Sequence, residues 1–210
     1  AGKQVVFVNC SGSAVALAPE DSICSAVLQA WYPGQAGGQA VAEVLFGDYN
    51  PAGRLPVTFY RDDSQLPDFE DYSMDGRTYR YFRGEPLYPF GHGLSYTTFG
   101  YGEPAVSKEG KDVVLTVPVT NTGAMDGDEV VQVYLVNPSD PSGPVKTLRA
   151  YRRVNIPAGE TARVSFTMTP EAFATFDHAT ERMTTRPGTY TLLVGPSSAV
   201  TPRSVDVTID

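Results

Sequence analysis

Cysteine, histidine and tryptophan are all scarce in this 210-residue chain, with two, two and one copies. Two thiols, Cys10 and Cys24, do not make a disulfide framework. They fit either free buried thiols or a single bridge. There is no Cys-x-x-Cys, and neither His92 nor His178 has a partner at metal-ligand spacing, so neither a metal site nor any other cofactor is expected. Basic residues are also short: 16 Lys and Arg stand against 24 Asp and Glu, a formal charge of −8. That deficit argues against nucleic acid as partner, because neutralising phosphates takes clustered cations. Arg77, Arg80 and Arg83 do cluster, but Asp68, Glu70, Asp71, Asp75 and Glu85 surround them, which reads as a charge-balanced surface. No apolar run approaches the ~20 residues that span a bilayer, so no membrane segment is expected. The opening residues AGKQVVFVNC carry no recognisable leader; if the protein is exported, the signal was removed or lies upstream.

What is present is the composition of an ordered protein, 41% hydrophobic and 19% charged, enough for one large or two small domains. Val5–Val8 is a continuous run of β-branched and aromatic residues suited to a strand buried on both faces. Val27–Trp31 and Leu55–Phe59 are two further candidate strands. Between them, Tyr32-Pro33-Gly34 signals a turn, and Ala40, Val41, Val44 and Leu45 recur at helical spacing from about Gln35 to Phe46. Gly47 is placed for a left-handed cap. The spacing predicts a strand–helix–strand unit of a parallel sheet. A parallel sheet needs a layer on each face, and one helix cannot supply both, so residues 1–60 read as the final part of an α/β domain that begins elsewhere.

Residues 61–98 lack periodicity yet are rich in rings, from Phe69, Tyr72, Tyr79 and Tyr81 to Tyr88, Phe90 and Tyr96. A loop this long is uncommon unless it is functional or packed against something. From about residue 99 short alternating strands take over: 113–119, 129–136, 148–156, 162–168, 189–194 and 204–209, separated by turns such as Asn121-Thr122-Gly123 and Pro157-Ala158-Gly159. That spacing predicts a fibronectin type III-like, immunoglobulin-like β-sandwich over 99–210.

Two long segments carry a family resemblance. WYPGQAGGQAVAEVLFGDYNPAGRLPVTF at 31–59 and EPLYPFGHGLSYTTF at 85–99 resemble the second half of glycoside hydrolase family 3, and the β-sandwich after them agrees. The resemblance implies the end of an α/β sandwich domain plus a fibronectin type III-like domain, in a retaining exo-β-glycosidase that removes terminal sugars from oligosaccharides. The Gly76-Arg77-Thr78-Tyr79-Arg80 run is closer to the β-xylosidase branch than to the β-glucosidase branch. Retention requires two carboxylates flanking the scissile bond, ~5–5.5 Å apart. The family's Asp nucleophile and usual Glu acid/base both lie upstream of the matching segments, so the resemblance places neither in this chain. The partners it implies are an oligosaccharide substrate and the N-terminal catalytic part of the same enzyme, whether on this polypeptide or on a separate one. It also favours a periplasmic or secreted location.

Local carboxylates do not replace the absent pair. Asp62 and Asp63, and Glu70, Asp71 and Asp75, read as solvated loop residues. Glu43 faces away from the helix's apolar stripe, and Asp48 reads as a turn brace. The substrate-binding candidates are Arg77, Tyr79 and Tyr81, because rings stack on sugar C–H faces and guanidinium groups bond hydroxyls. The competing reading of these rings is glue between the α/β part and the sandwich. Gly91-His92-Gly93 reads as a turn, Trp31 as core or site-facing, Gln35 as a helix cap, and Asn9-Cys10-Ser11 as a chance glycosylation pattern. A non-catalytic carbohydrate-binding module, or a structural piece that forms a homodimer through open sheet edges, is the alternative function.

Overall fold

A computed structural model of the chain describes residues 2–177, 180–199 and 203–210; His178 lies outside them. The first elements are β1 (Val6–Asn9), α1 (Ala18–Ile23), β2 (Ala26–Gln29) and α2 (Gly37–Phe46). β1 and β2 pair in parallel, Val6 with Ala26 through Asn9 with Gln29. The parallel unit is therefore β1–α1–β2, one step earlier in the chain than the hydrophobic pattern suggests. Pro19 sits in the first turn of α1, where the missing N–H costs nothing.

Leu55–Phe59 does not join that sheet. Leu55 N–H donates to His92 O, Gly91 N–H to Leu55 O, and Phe59 and Tyr88 exchange backbone bonds. Pro56 has no N–H to offer a ladder, and the returning chain at 88–92 takes the donors and acceptors that remain. α2 begins at Gly37, with Ala36 rather than Gln35 at its N-cap, and ends at Gly47 in the left-handed conformation, φ 84°. Its apolar stripe is not covered: Phe46 is 84% exposed, and Leu45 is exposed as well. Among the described apolar side chains of this region only Leu17, Ala52 and Phe59 are buried.

After a helical turn α3 (Thr78–Tyr81) come β3 (Phe99–Tyr101), β4 (Ala105–Glu109), β5 (Asp112–Asn121), β6 (Gly127–Val136), β7 (Thr147–Ile156), β8 (Thr161–Met168), β9 (Thr175–Asp177), β10 (Arg182–Thr184), β11 (Gly188–Gly195) and β12 (Arg203–Ile209). One sheet runs β12-β11-β6-β7; in the other, β5 is flanked by β3 and β4 on one edge and β8 on the other. β9 and β10 form a separate hairpin. β5 alternates strictly, with Val113, Leu115, Val117 and Val119 inward, as a half-buried antiparallel strand must. They meet Val131, Val133, Phe166, Leu192 and Val194 from the other strands. Each such side chain contributes roughly 1.5–3 kcal/mol by leaving water. Asn121 closes the turn after β5: its amide donates to Met125 O and Ile156 O, and its carbonyl accepts from Thr97 Oγ1 and the Gly123 N–H.

β6 breaks the alternation. Gln132 and Tyr134, on its outer face, are buried too, because the aromatic loop lies over that face.

Candidate functional site at the loop and sandwich junction

The loop reaches β6 through its rings and carbonyls. Tyr79 stacks on Phe90 at 4.3 Å between centroids and meets Tyr134 edge-on at 5.8 Å. Its hydroxyl accepts from Leu148 N–H at 3.0 Å. Gln132 donates to Gly91 O and Pro196 O while accepting from Tyr134 OH. Gly91 is obligatory there: φ is +80°, and a Cβ would lie 2.1 Å from Gln132 Oε1. The Gly-His-Gly segment is a turn that receives a sandwich side chain. Burial, reinforced by the Arg54 charge, lowers the pKa of His92, whose ring stacks on Tyr88 at 5.3 Å. Tyr88 is pushed upward by burial and by its bond to Asp21.

Below this layer lies an ion pair. Arg54 Nη2 meets Glu129 Oε2 at 2.9 Å, the side chains being 8% and 2% exposed. Tyr101 OH donates to the other carboxylate oxygen at 2.8 Å. Burial and the Glu129 charge raise the Tyr101 pKa, so it remains a donor. Glu129, a buried carboxylate, is thus fully occupied in joining the two parts of the chain.

The three candidate substrate residues are not brought together. Arg77 turns back on its own loop and donates to Ser73 O, Asp68 O and Asp71 O. Tyr79 is in the junction. Tyr81 lines a groove of about 610 Å³ between α3, β7 and the β9–β10 hairpin. Arg80, Arg149 and Arg186 line it as well. Chain position hides this grouping, since Arg80 and Arg149 are distant in sequence and Arg149 looks like one of several charges on an exposed strand.

Two loop carboxylates, Asp62 and Asp71, are held as anions. Asp62 accepts from the Ser64 hydroxyl and amide, and Asp71 from the Ser73 amide and hydroxyl; these bonds lower both pKa values. A general acid needs the opposite shift. Glu43 accepts from Gln39 at 2.7 Å along α2. Asp48 is exposed in its turn. Both cysteines are free, and Cys10 is exposed rather than buried. Asn9 is bonded to Ser11 Oγ and Gln29 Oε1. Trp31 holds a left-handed φ of 54° and sets its ring edge-on to Phe59 at 6.1 Å. Among the described residues no group of His, Cys, Asp and Glu could hold a metal ion, and no helix is long and apolar enough to cross a membrane.

The chain is thus a partial parallel layer followed by a fibronectin-like sandwich, joined across a buried ion pair. The chain belongs to glycoside hydrolase family 3: residues 1–96 match the glycosyl hydrolase family 3 C-terminal domain, and residues 129–198 match the fibronectin type III-like domain. It is 56% identical over 200 residues to a xylan 1,4-beta-xylosidase of Xylanibacter ruminicola, covering 94% of this chain and 23% of that protein. It is 39% identical to a periplasmic beta-glucosidase of Salmonella typhimurium, over 94% of this chain and 28% of the relative. Beta-glucosidase 3B from Thermotoga neapolitana, solved with glycerol, superposes with a TM-score of 0.91 at 33% identity, over all of this chain and 32% of that one. The chain thus spans about a quarter of the length of these curated relatives.

Proposed function

We propose that this chain is the C-terminal portion of a retaining exo-β-glycosidase that releases terminal β-xylosyl units from oligosaccharides. The observation that carries the reading is the 56% identity to a xylan 1,4-beta-xylosidase across 94% of the chain. The nucleophile and acid/base belong to an N-terminal part, on the same or a second polypeptide, that covers β1, β2 and α2. The chain divides into residues 1–60, the end of an α/β domain, 61–98, the connecting aromatic loop, and 99–210, the sandwich. Within the loop, Tyr81 is the sugar contact, with Tyr79 and Arg77 fixing the backbone that presents it. The exposed ring faces of 61–98 and the junction packing of Tyr79 support this division of labour.

The test is hydrolysis of an aryl β-xyloside and an aryl β-glucoside. The complete enzyme releases the phenol, faster from the xyloside, and the 210-residue chain alone releases none. Turnover by the isolated chain would place the catalytic carboxylates within it and sink the proposal.

A further inference from the structure

We propose that the groove between α3, β7 and the β9–β10 hairpin binds the carboxylate of a hexuronic acid unit carried by an oligosaccharide. The inference rests on the reading of the aromatic loop as a sugar-contacting element and names a substituent that element would take. Its basis is an unbalanced pair of guanidinium groups. Arg80 comes from the loop and Arg149 from β7, and both line the groove. The Nε atoms of both are buried and have no hydrogen-bond partner among the described residues. Burial, and after it the nearby Arg80 charge, pulls the Arg149 pKa down.

Asp177 and Asp140 also line the groove, and each has another partner. Asp177 pairs with Arg186 at 3.1 Å, and Asp140 accepts from Ser142 Oγ at 3.0 Å within its own turn. Arg149 gives one Nη to Ala174 O at 2.7 Å, and its buried Nε has no acceptor. Two adjacent, partly desolvated cations in a chain of net charge −8 are costly unless an anion sits between them. Planar forks of N–H donors match a carboxylate's two oxygens in a way that an ammonium does not.

The remaining walls suit a sugar ring. Tyr81 lies beneath Arg80, whose guanidinium carbon is 5.6 Å from the ring centroid, and Phe176 and Met183 present half-exposed apolar surface. The volume of about 610 Å³ falls within the range of small-ligand sites. A neutral xylosyl unit would meet the same walls but leave the guanidinium pair uncompensated.

Titration calorimetry on the complete enzyme tests this with four probes: glucuronosyl-xylose, its methyl ester, xylobiose and sulfate. The free acid should bind roughly tenfold or more tighter than the ester and xylobiose, as expected for charge-assisted bonds to a carboxylate. Arg149→Gln and Arg80→Gln should each erase most of that advantage, and Arg149→Lys should restore part of it. Equal affinity for acid and ester in the unaltered enzyme overturns the proposal, and this comparison does not depend on any variant folding. An acid preference that survives both Gln substitutions overturns it as well. Sulfate competing as strongly as the acid would make the groove a general anion site and overturn the sugar assignment. Turnover of an aryl β-xyloside is read in the same preparation, so a missing acid preference in an active enzyme refutes the groove and leaves the glycosidase reading intact.

Discussion

Arg54 and Glu129 lie on opposite sides of the junction, and their pairing has no water to fall back on. Breaking a buried ion pair from one side leaves a desolvated charge, which costs about 3–5 kcal/mol, whereas replacing both partners costs far less. Arg54→Met should therefore lower stability by about that amount in urea unfolding, and Arg54→Met combined with Glu129→Gln should recover much of the loss. If the double variant is as unstable as the single one, the pair acts by packing and not by charge. Neither residue stands out in the chain. Arg54 sits in a polar Gly/Pro loop and reads as solvent-exposed, and Glu129 opens a strand where a charge looks like an edge residue. Only the approach of Asn50–Tyr60 to β6 and β3 makes them neighbours.

The aromatic loop has little regular structure beyond α3, and its order comes mostly from side chains. Arg77 ties three of its carbonyls together, Asp62, Asp68 and Asp71 each bond an amide two residues on, and Tyr60 OH accepts from Thr78 N–H. Phe69 and Tyr72 are left 91% exposed on the surface of this tied segment. Hydrogen bonds from a charged donor are worth about 1.5–3 kcal/mol each. Arg77→Ala should open the segment locally and speed chymotryptic cleavage after Phe69 or Tyr72 by roughly tenfold or more, with the sandwich's melting temperature little changed. Unchanged cleavage would show that the loop is held by its rings alone. The ring content of this loop is plain in the sequence and predicts packing against a neighbour. Which rings pack and which face solvent is not, because a loop has no period from which to read a buried face.

At the scale of the molecule, the two halves differ in how much core they own. The sandwich buries a continuous cluster from Tyr101 to Val207, while the α/β half leaves Val5, Val6, Ile23, Leu45 and Phe46 exposed, Ile23 at 79%. Local stability follows buried apolar contact. Hydrogen exchange on the isolated chain should therefore find the amides of β1 and β2 exchanging orders of magnitude faster than those of β5, β6 and β11. Supplying the N-terminal part should slow them toward the sandwich rates. Equal protection in a verified monomer would show that the first sixty residues are a finished unit and would count against an absent covering layer.

The sequence by itself determined the sandwich. β5, β7, β8, β11 and β12 are visible as alternating runs bounded by turns, since a strand with one wet face writes its period of two into the chain, and β6 as an apolar run between turns, both of its faces being covered. It also determined the α2 cap at Gly47 and the family, but not α1, which completes the parallel unit. Tertiary structure alone decided that Leu55–Phe59 pairs with 88–92 instead of with β2. A short apolar run fits either partner, and Pro56 with the Gly91 turn settles the competition. Contact between distant segments likewise decided that Arg77 is a brace, that Tyr79 is a joint, and that Arg80 and Arg149 share a groove. Charge and ring type are local properties of a sequence, but a site is a set of distances that only packing creates.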